Sequence, residues 1–211
     1  MSSPTTPALP DQRLAAGAAR LANRHEGTFS PETVMRLLAD SYTQLAAAAH
    51  VRTHLIVLAE RLAGERLDAL AQSEGVPGAG LPRVLFVCSH NAGRSQIAAA
   101  LLTRRAAGRV EVSSAGTAPA AEVEPLVVQV LVEAGADIGH AYPKPLTDEV
   151  VQAADIVVTM GCGDACPVVP GHRYLDWPVA DPEGGPIAVV RQIRDEIDAH
   201  ITKLLALLPP A

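Results

Sequence analysis

Arg83-Val84-Leu85-Phe86-Val87-Cys88-Ser89-His90-Asn91-Ala92-Gly93-Arg94-Ser95-Gln96 is the stretch whose reading decides the fold. Residues 83–87 are a short apolar run with β-branched side chains, the composition of a buried strand. Cys88 to Arg94 is a tight loop of small and polar residues. Ser95 then opens Gln96-Ile97-Ala98-Ala99-Ala100-Leu101-Leu102, an Ala/Leu-rich helix with a hydroxyl placed to cap it. Strand, loop and helix start together form a cup of peptide N–H groups at the positive end of a helix dipole. Such a cup binds a tetrahedral oxyanion.

Cys88 and Arg94 turn that cup into a reaction centre. Cys88 is the first loop residue, so its sulfur lies at the floor, where N–H groups favour an anionic nucleophile. Arg94 follows six positions on and can grip two anion oxygens with its planar fork. Ser95 can donate a hydrogen bond to the sulfur. The plain alternative is a buried structural cysteine at a strand end.

Cys88-(x5)-Arg94-Ser95 after an apolar strand resembles the signature loop of the low-molecular-weight protein tyrosine phosphatase fold, and the string Val87 to Gln96 is more similar to its arsenate reductase branch. Asn91 matches the loop asparagine of that superfamily. His90 and Gly93 depart from the phosphatase version, which usually carries Gly and Cys there. The resemblance covers about residues 82–208 and implies that Ser89, His90, Asn91, Ala92, Gly93, Arg94 and Ser95 hold the oxyanion around Cys88.

The composition narrows the class. The chain has 211 residues, is 48% hydrophobic but only 3% aromatic, and carries a net charge of −6. That charge argues against nucleic acid and against a polybasic membrane anchor, so an oxyanion must be held by local features. No apolar run approaches the ~20 residues of a membrane span, and the first ten residues lack a signal-peptide pattern. Three cysteines do not form a disulfide framework. The expectation is a cytoplasmic protein with reduced, available thiols.

Residues 1–10 read as a disordered tail, 11–74 as a three-helix domain, 75–82 as a Gly/Pro linker and 83–211 as the catalytic domain. In the helical domain Leu14, Ala18 and Leu21 share a face of the first helix, over 11–24. Ser30-Pro31-Glu32-Thr33 opens the second with a Ser cap and Pro in the first turn. That helix aligns Val34, Leu38, Tyr42 and Leu45 and runs to about Ala49. The third spans roughly 52–73, with Leu55, Leu58, Leu62 and Leu67 inward. So small a unit buries little alone, and homodimerisation through it is the expected use. The competing use, a DNA-reading helix-turn-helix, needs a basic face. Over 11–75 seven Arg and no Lys stand against eight acids, a net −1. His25, His50 and His54 read as ordinary surface or packing residues.

From 83 onward the pattern alternates strand and helix. Strands are expected at 83–87, 109–113, 155–159 and 173–177, and helices at 95–107, 123–135, 147–153 and 185–207. The expected fold is α/β, a four-stranded parallel sheet with helices on both faces, the reactive loop lying at the carboxyl end of the first strand. Ser113-Ser114-Ala115-Gly116-Thr117 ends the second strand and reads either as a plain Gly turn or as the family segment beside the signature loop.

Met160-Gly161-Cys162-Gly163-Asp164-Ala165-Cys166-Pro167 holds the other two cysteines. Zinc needs about four ligands, and only His172 is near. Incidental cysteines and a redox relay remain, the relay using a mobile loop to bring Cys162 to Cys88. The resemblance implies resolving roles for Cys162 and Cys166, and implies that Asp181, in Asp181-Pro182, is the general acid, with Asp176 as fallback. Trp177 reads as packing.

The resemblance therefore implies an arsenate reductase needing no metal or bound cofactor. Cys88 attacks arsenate, Asp181 protonates the departing oxygen, and a Cys88/Cys162/Cys166 relay is regenerated by thioredoxin. The alternatives are an arsenate–mycothiol transferase using Cys88 only, a low-molecular-weight protein tyrosine phosphatase, and a non-catalytic oxyanion sensor. Against the phosphatase stand the paired cysteines and the lack of any aromatic side chain in 178–190.

Overall fold

The structure is a computed structural model that describes residues 11–49, 54–73, 75, 80–162, 166 and 168–208. The expected tail at 1–10, residues 76–79 of the expected linker, His50, residues 52–53 of the expected third helix, Gly163 to Ala165 and Pro167 lie outside the described residues. The chain divides into two compact units after Ala71.

The first unit holds α1 (Asp11–Arg24), α2 (Pro31–Ala48) and α3 (Leu55–Ser73). Ser30 caps α2, its Oγ accepting from the Thr33 N–H, with Pro31 at the first turn. Leu14, Ala18 and Leu21 from α1 are buried, as are Val34, Leu38, Tyr42 and Leu45 from α2. On α3 the buried line is Leu55, Ala59, Leu62, Ala63 and Leu67. Leu58 is only half-buried, because the i, i+4, i+7 spacing from Leu55 selects Ala59 instead.

The second unit runs β1 (Arg83–Cys88), α4 (Arg94–Ala106), β2 (Glu111–Gly116), α5 (Pro125–Glu133), α6 (Asp148–Gln152), β3 (Ile156–Met160), β4 (Arg173–Asp176) and α7 (Ile187–Leu205). The four strands form one parallel sheet in the order β2-β1-β3-β4. Alternation along β1 explains its layers. Val84, Phe86 and Cys88 face the larger core, with Ile97 and Leu101 of α4, Val127 and Leu131 of α5, and Ile193 and Ile197 of α7. Leu85 and Val87 face the other side, with Val151 of α6. Burial on both faces is why β1 is continuously apolar.

The second strand starts and ends later than the spacing predicts, at Glu111–Gly116 instead of 109–113. Ala107 and Gly108 both take left-handed backbone after α4, and Arg109 N–H closes that turn on the Ala106 carbonyl. The strand therefore begins only at Glu111 and carries Ser113 and Ser114 into register with Leu85 and Phe86. Among the described residues no helix is long and apolar enough to cross a membrane.

Candidate active site

Cys88 is the last residue of β1, one position earlier than a loop residue, and Gly93 is the N-cap of α4. Between them the loop's carbonyls are bound from outside its hollow. Those of Cys88, Ser89, His90 and Ala92 accept from the N–H groups of Thr117 (3.2 Å), Ala118 (2.9 Å), Ala120 (2.9 Å) and Glu124 (3.1 Å). The Asn91 carbonyl accepts from Gln96 Nε2 at 2.9 Å. In a trans peptide the N–H that follows a carbonyl points the opposite way. The N–H groups of residues 89–93 are thereby turned into the hollow, and that of Asn91 reaches Cys88 Sγ at 3.3 Å. The loop is an anion cup held open by the segment that follows β2. Gly116 takes part in that support: a β-carbon on it would sit 2.7 Å from the Ser89 carbonyl oxygen. The Ser113–Thr117 segment is thus a neighbour of the loop and not a plain turn.

Ser95 was expected to cap α4. Instead it is fully buried, no side chain caps the helix, and Ser95 Oγ lies 3.0 Å from Cys88 Sγ. Asn91 Nδ2 donates to the same oxygen at 2.7 Å, which leaves the Ser95 hydroxyl hydrogen free to point at sulfur. Asn91 itself has φ +48°, tolerable for an Asn. Its Oδ1 accepts from the Lys144 N–H (2.8 Å) and from Gln96 Nε2 (3.2 Å). Gln96 also donates to the Tyr142 carbonyl at 3.0 Å. This buried network fixes the loop from behind.

Arg94 is buried and its Nη2 is paired with Asp181 Oδ2. Its Nε is buried with no hydrogen-bond partner, a donor left over for an oxyanion in the cup. The cation is set from below by Gly161, the first residue after β3, which has φ +72°. Asp181 belongs to a segment between Trp177 and α7 in which Pro178, Pro182 and Pro186 recur every four residues. Pro182 rests on the loop at Gly93, where a β-carbon would fall 2.6 Å from Pro182 Cγ. Glu183 Oε2 lies 3.3 Å from His90 Nδ1. Glu124 stands beside them, and burial first, then the charges of Asp181 and Glu183, push its carboxyl above the usual range, with His90 opposing.

Cys162 and Cys166 form a disulfide, and Cys88 is the free thiol. The two bonded cysteines begin two residues beyond Met160, which is in register with Cys88 across β1 and β3. Among the described residues no group of three or more His, Cys, Asp or Glu side chains is placed to hold a metal. His172 instead meets the Ala154 carbonyl through Nδ1. Asp176 accepts from Thr159 Oγ1 at 2.7 Å, so it serves the sheet edge. Trp177 is buried between Phe86 and His200, with ring centroids 5.6 and 4.8 Å away.

A parallel sheet whose strand ends present a Cys-(x5)-Arg cup and an Asp-Pro segment defines a class. Residues 83–209 match the family described as Low molecular weight phosphotyrosine protein phosphatase, and the chain belongs to that family. Residues 14–71 match the Protein-tyrosine-phosphatase-like, N-terminal domain. Among solved structures, a thioredoxin-dependent arsenate reductase of Corynebacterium glutamicum shares 49% identity and a TM-score of 0.86, over 94% of this chain and 98% of its own. Arsenate reductase 1 of Bacillus cereus is 34% identical over 56% of this chain and 91% of its own length. The protein-arginine-phosphatase of Geobacillus stearothermophilus is 35% identical over 58% of this chain and 93% of its own.

The structure brings Cys88, Arg94, Ser95, Asn91 and Asp181 to one place. It adds four residues that sequence reasoning passed over as site residues: Gln96, Glu124, Gly161 and Glu183. Gly161 and Glu183 each adjoin a residue that was singled out, and Glu124-Pro125 carries the Pro of a helix start. Gln96 carried no separate signal.

Proposed function

We propose that the protein is a cytoplasmic arsenate reductase that works through a three-cysteine relay regenerated by thioredoxin. The Cys88 thiolate attacks arsenate seated on the loop N–H groups and Arg94. An S–As bond forms while an arsenate oxygen leaves as water, taking a proton from Asp181. Cys162 thiolate then attacks Cys88 Sγ. The electron pair of the S–As bond stays on arsenic, which departs as arsenite, and a Cys88–Cys162 disulfide remains. Cys166 attacks Cys162, freeing Cys88 as thiolate and leaving a Cys162–Cys166 disulfide for the thioredoxin dithiol to reduce. Arsenic gains two electrons and the dithiol loses two.

The observation that carries this reading is that Cys162 and Cys166 are joined in a disulfide while Cys88 is a free thiol. It is the pairing with which the relay ends. The similarity to the C. glutamicum thioredoxin-dependent enzyme, extending over 94% of the chain, supports the same reductant. Self-association through the helical unit accompanies this reading, with the exposed Met35 and Val57 as its apolar surface positions; light scattering on Val57→Asp tests it.

The decisive experiment is arsenate-dependent NADPH oxidation with thioredoxin and thioredoxin reductase. Steady oxidation is expected, abolished in Cys162→Ala. Cys166→Ala should release one arsenite per chain and stop. Rescue only by mycothiol and its reductase would replace the relay with a single-cysteine transferase. Ester hydrolysis with no arsenate reduction in either system would leave a phosphatase.

A further inference from the structure

Two side chains that the proposed chemistry does not use join the loop to the segment that carries Asp181. His90 on the loop and Glu183 on the acid segment meet at 3.3 Å, with side-chain exposures of 48% and 63%, so neither serves the core. Three successive residues of the acid segment thus meet the loop. Asp181 pairs with Arg94, Pro182 rests on Gly93, and Glu183 reaches His90. These contacts join the segment that carries Asp181 to the loop at three successive positions, and Cys88 keeps 2% of its exposure.

We propose that His90 and Glu183 form a clasp across the mouth that sets substrate size, admitting a free tetrahedral oxyanion and turning away phosphate monoesters. This rests on the reading of the site as one for a free oxyanion and gives that reading its selectivity element. The physical reason is the line of attack. The bond that breaks lies opposite the attacking sulfur, so the leaving oxygen points toward Asp181. In arsenate that oxygen carries only hydrogen and stays inside the cup. In an ester it carries an organic arm, which has to pass between His90 and Glu183. The charges of Asp181 and Glu183 help hold the Glu124 carboxyl above its usual range, so three carboxyl groups stand close together near His90.

The test uses p-nitrophenyl phosphate with the full chain, Glu183→Ala, His90→Gly and the double variant, and inorganic phosphate as competitive inhibitor. In this assay an S–P bond to Cys88 forms as the P–O(aryl) bond breaks, nitrophenolate leaves with the electron pair, and water then cleaves the S–P bond. Glu183→Ala is expected to raise kcat/KM for the ester about tenfold while the inhibition constant of phosphate stays within about twofold. The double variant should gain no more than the better single one, because both remove the same contact. Unchanged or absent ester hydrolysis in Glu183→Ala, an equal change in phosphate inhibition, or additive gains would each overturn the clasp. The reductase reading fails separately, by absence of arsenate reduction, since this readout uses only ester and phosphate.

Discussion

Gly161 lies directly under the Arg94 guanidinium: a β-carbon on Gly161 would fall on Nη1. The same residue offers its carbonyl to Ser89 Oγ at 3.1 Å. One glycine therefore adjoins Arg94, touches the Cys88–Arg94 loop at Ser89 and begins the segment that carries Cys162. A change in that segment reaches the arginine through backbone, with no side chain between.

Gly161→Ala should show this directly. The new methyl group must displace Arg94, and left-handed backbone costs a non-glycine residue about 1–2 kcal/mol. The expected outcome is a lower melting temperature together with a loss of about tenfold or more in kcat/KM for arsenate. Steady-state kinetics and thermal unfolding check it. Loss of stability with unchanged kinetics would mean that Arg94 finds its place without Gly161.

Asn91→Ala should be costly although the side chain is small. It removes the acceptor of the Lys144 N–H and one acceptor of Gln96, and it removes the donor that orients Ser95. Each buried group left unpaired costs about 1–3 kcal/mol. Urea unfolding should report a loss in that range or above, and single-turnover arsenite release should slow because Ser95 no longer holds one orientation toward Cys88. Asn91→Asp tests the geometry further, since it keeps the acceptor and loses the donor to Ser95.

Glu124 gives a pH dependence with a definite sign. Its carboxyl is raised in the folded state, mainly by burial and then by Asp181 and Glu183. Folding thus favours the protonated form, so its contribution is fully present below the unfolded value of about 4.5 and is lost as pH rises through the folded value. Glu124→Gln is neutral throughout. It is expected to melt above the wild type near pH 7, with the gap closing as pH falls below about 4.5. Melting curves across that range decide it; a wild type more stable than the variant at pH 7 would contradict the assignment.

What could be read in the sequence depends on how local the physics is. The strand 83–87, the cup and the start of the helix after it lie within the fourteen residues 83–96 and follow from composition and spacing alone. Asp181 is singled out by the resemblance, since Asp-Pro alone is only a turn signal, and its pairing with Arg94 joins residues 87 apart, which no pattern contains. Ser95 is half legible: its contact with the Cys88 sulfur is present as read, while its capping role is not. A hydroxyl at a helix start has a local use as a cap, yet here burial against Cys88 and Asn91 outweighs it, and the turn is left to Gly93. Ser113 and Ser114 have little strand preference of their own; pairing with β1 places them in the sheet. His90 and Glu183 each look like an exposed charged residue until the fold sets them face to face.

The prolines spaced through 178–186 have a consequence for the entropy of ordering this segment. Each fixes one backbone angle in the unfolded chain as in the folded one, so few conformations are lost when the segment takes its place. The pairing of Asp181 with Arg94 is therefore held at a smaller conformational cost than a proline-free segment of the same length would carry.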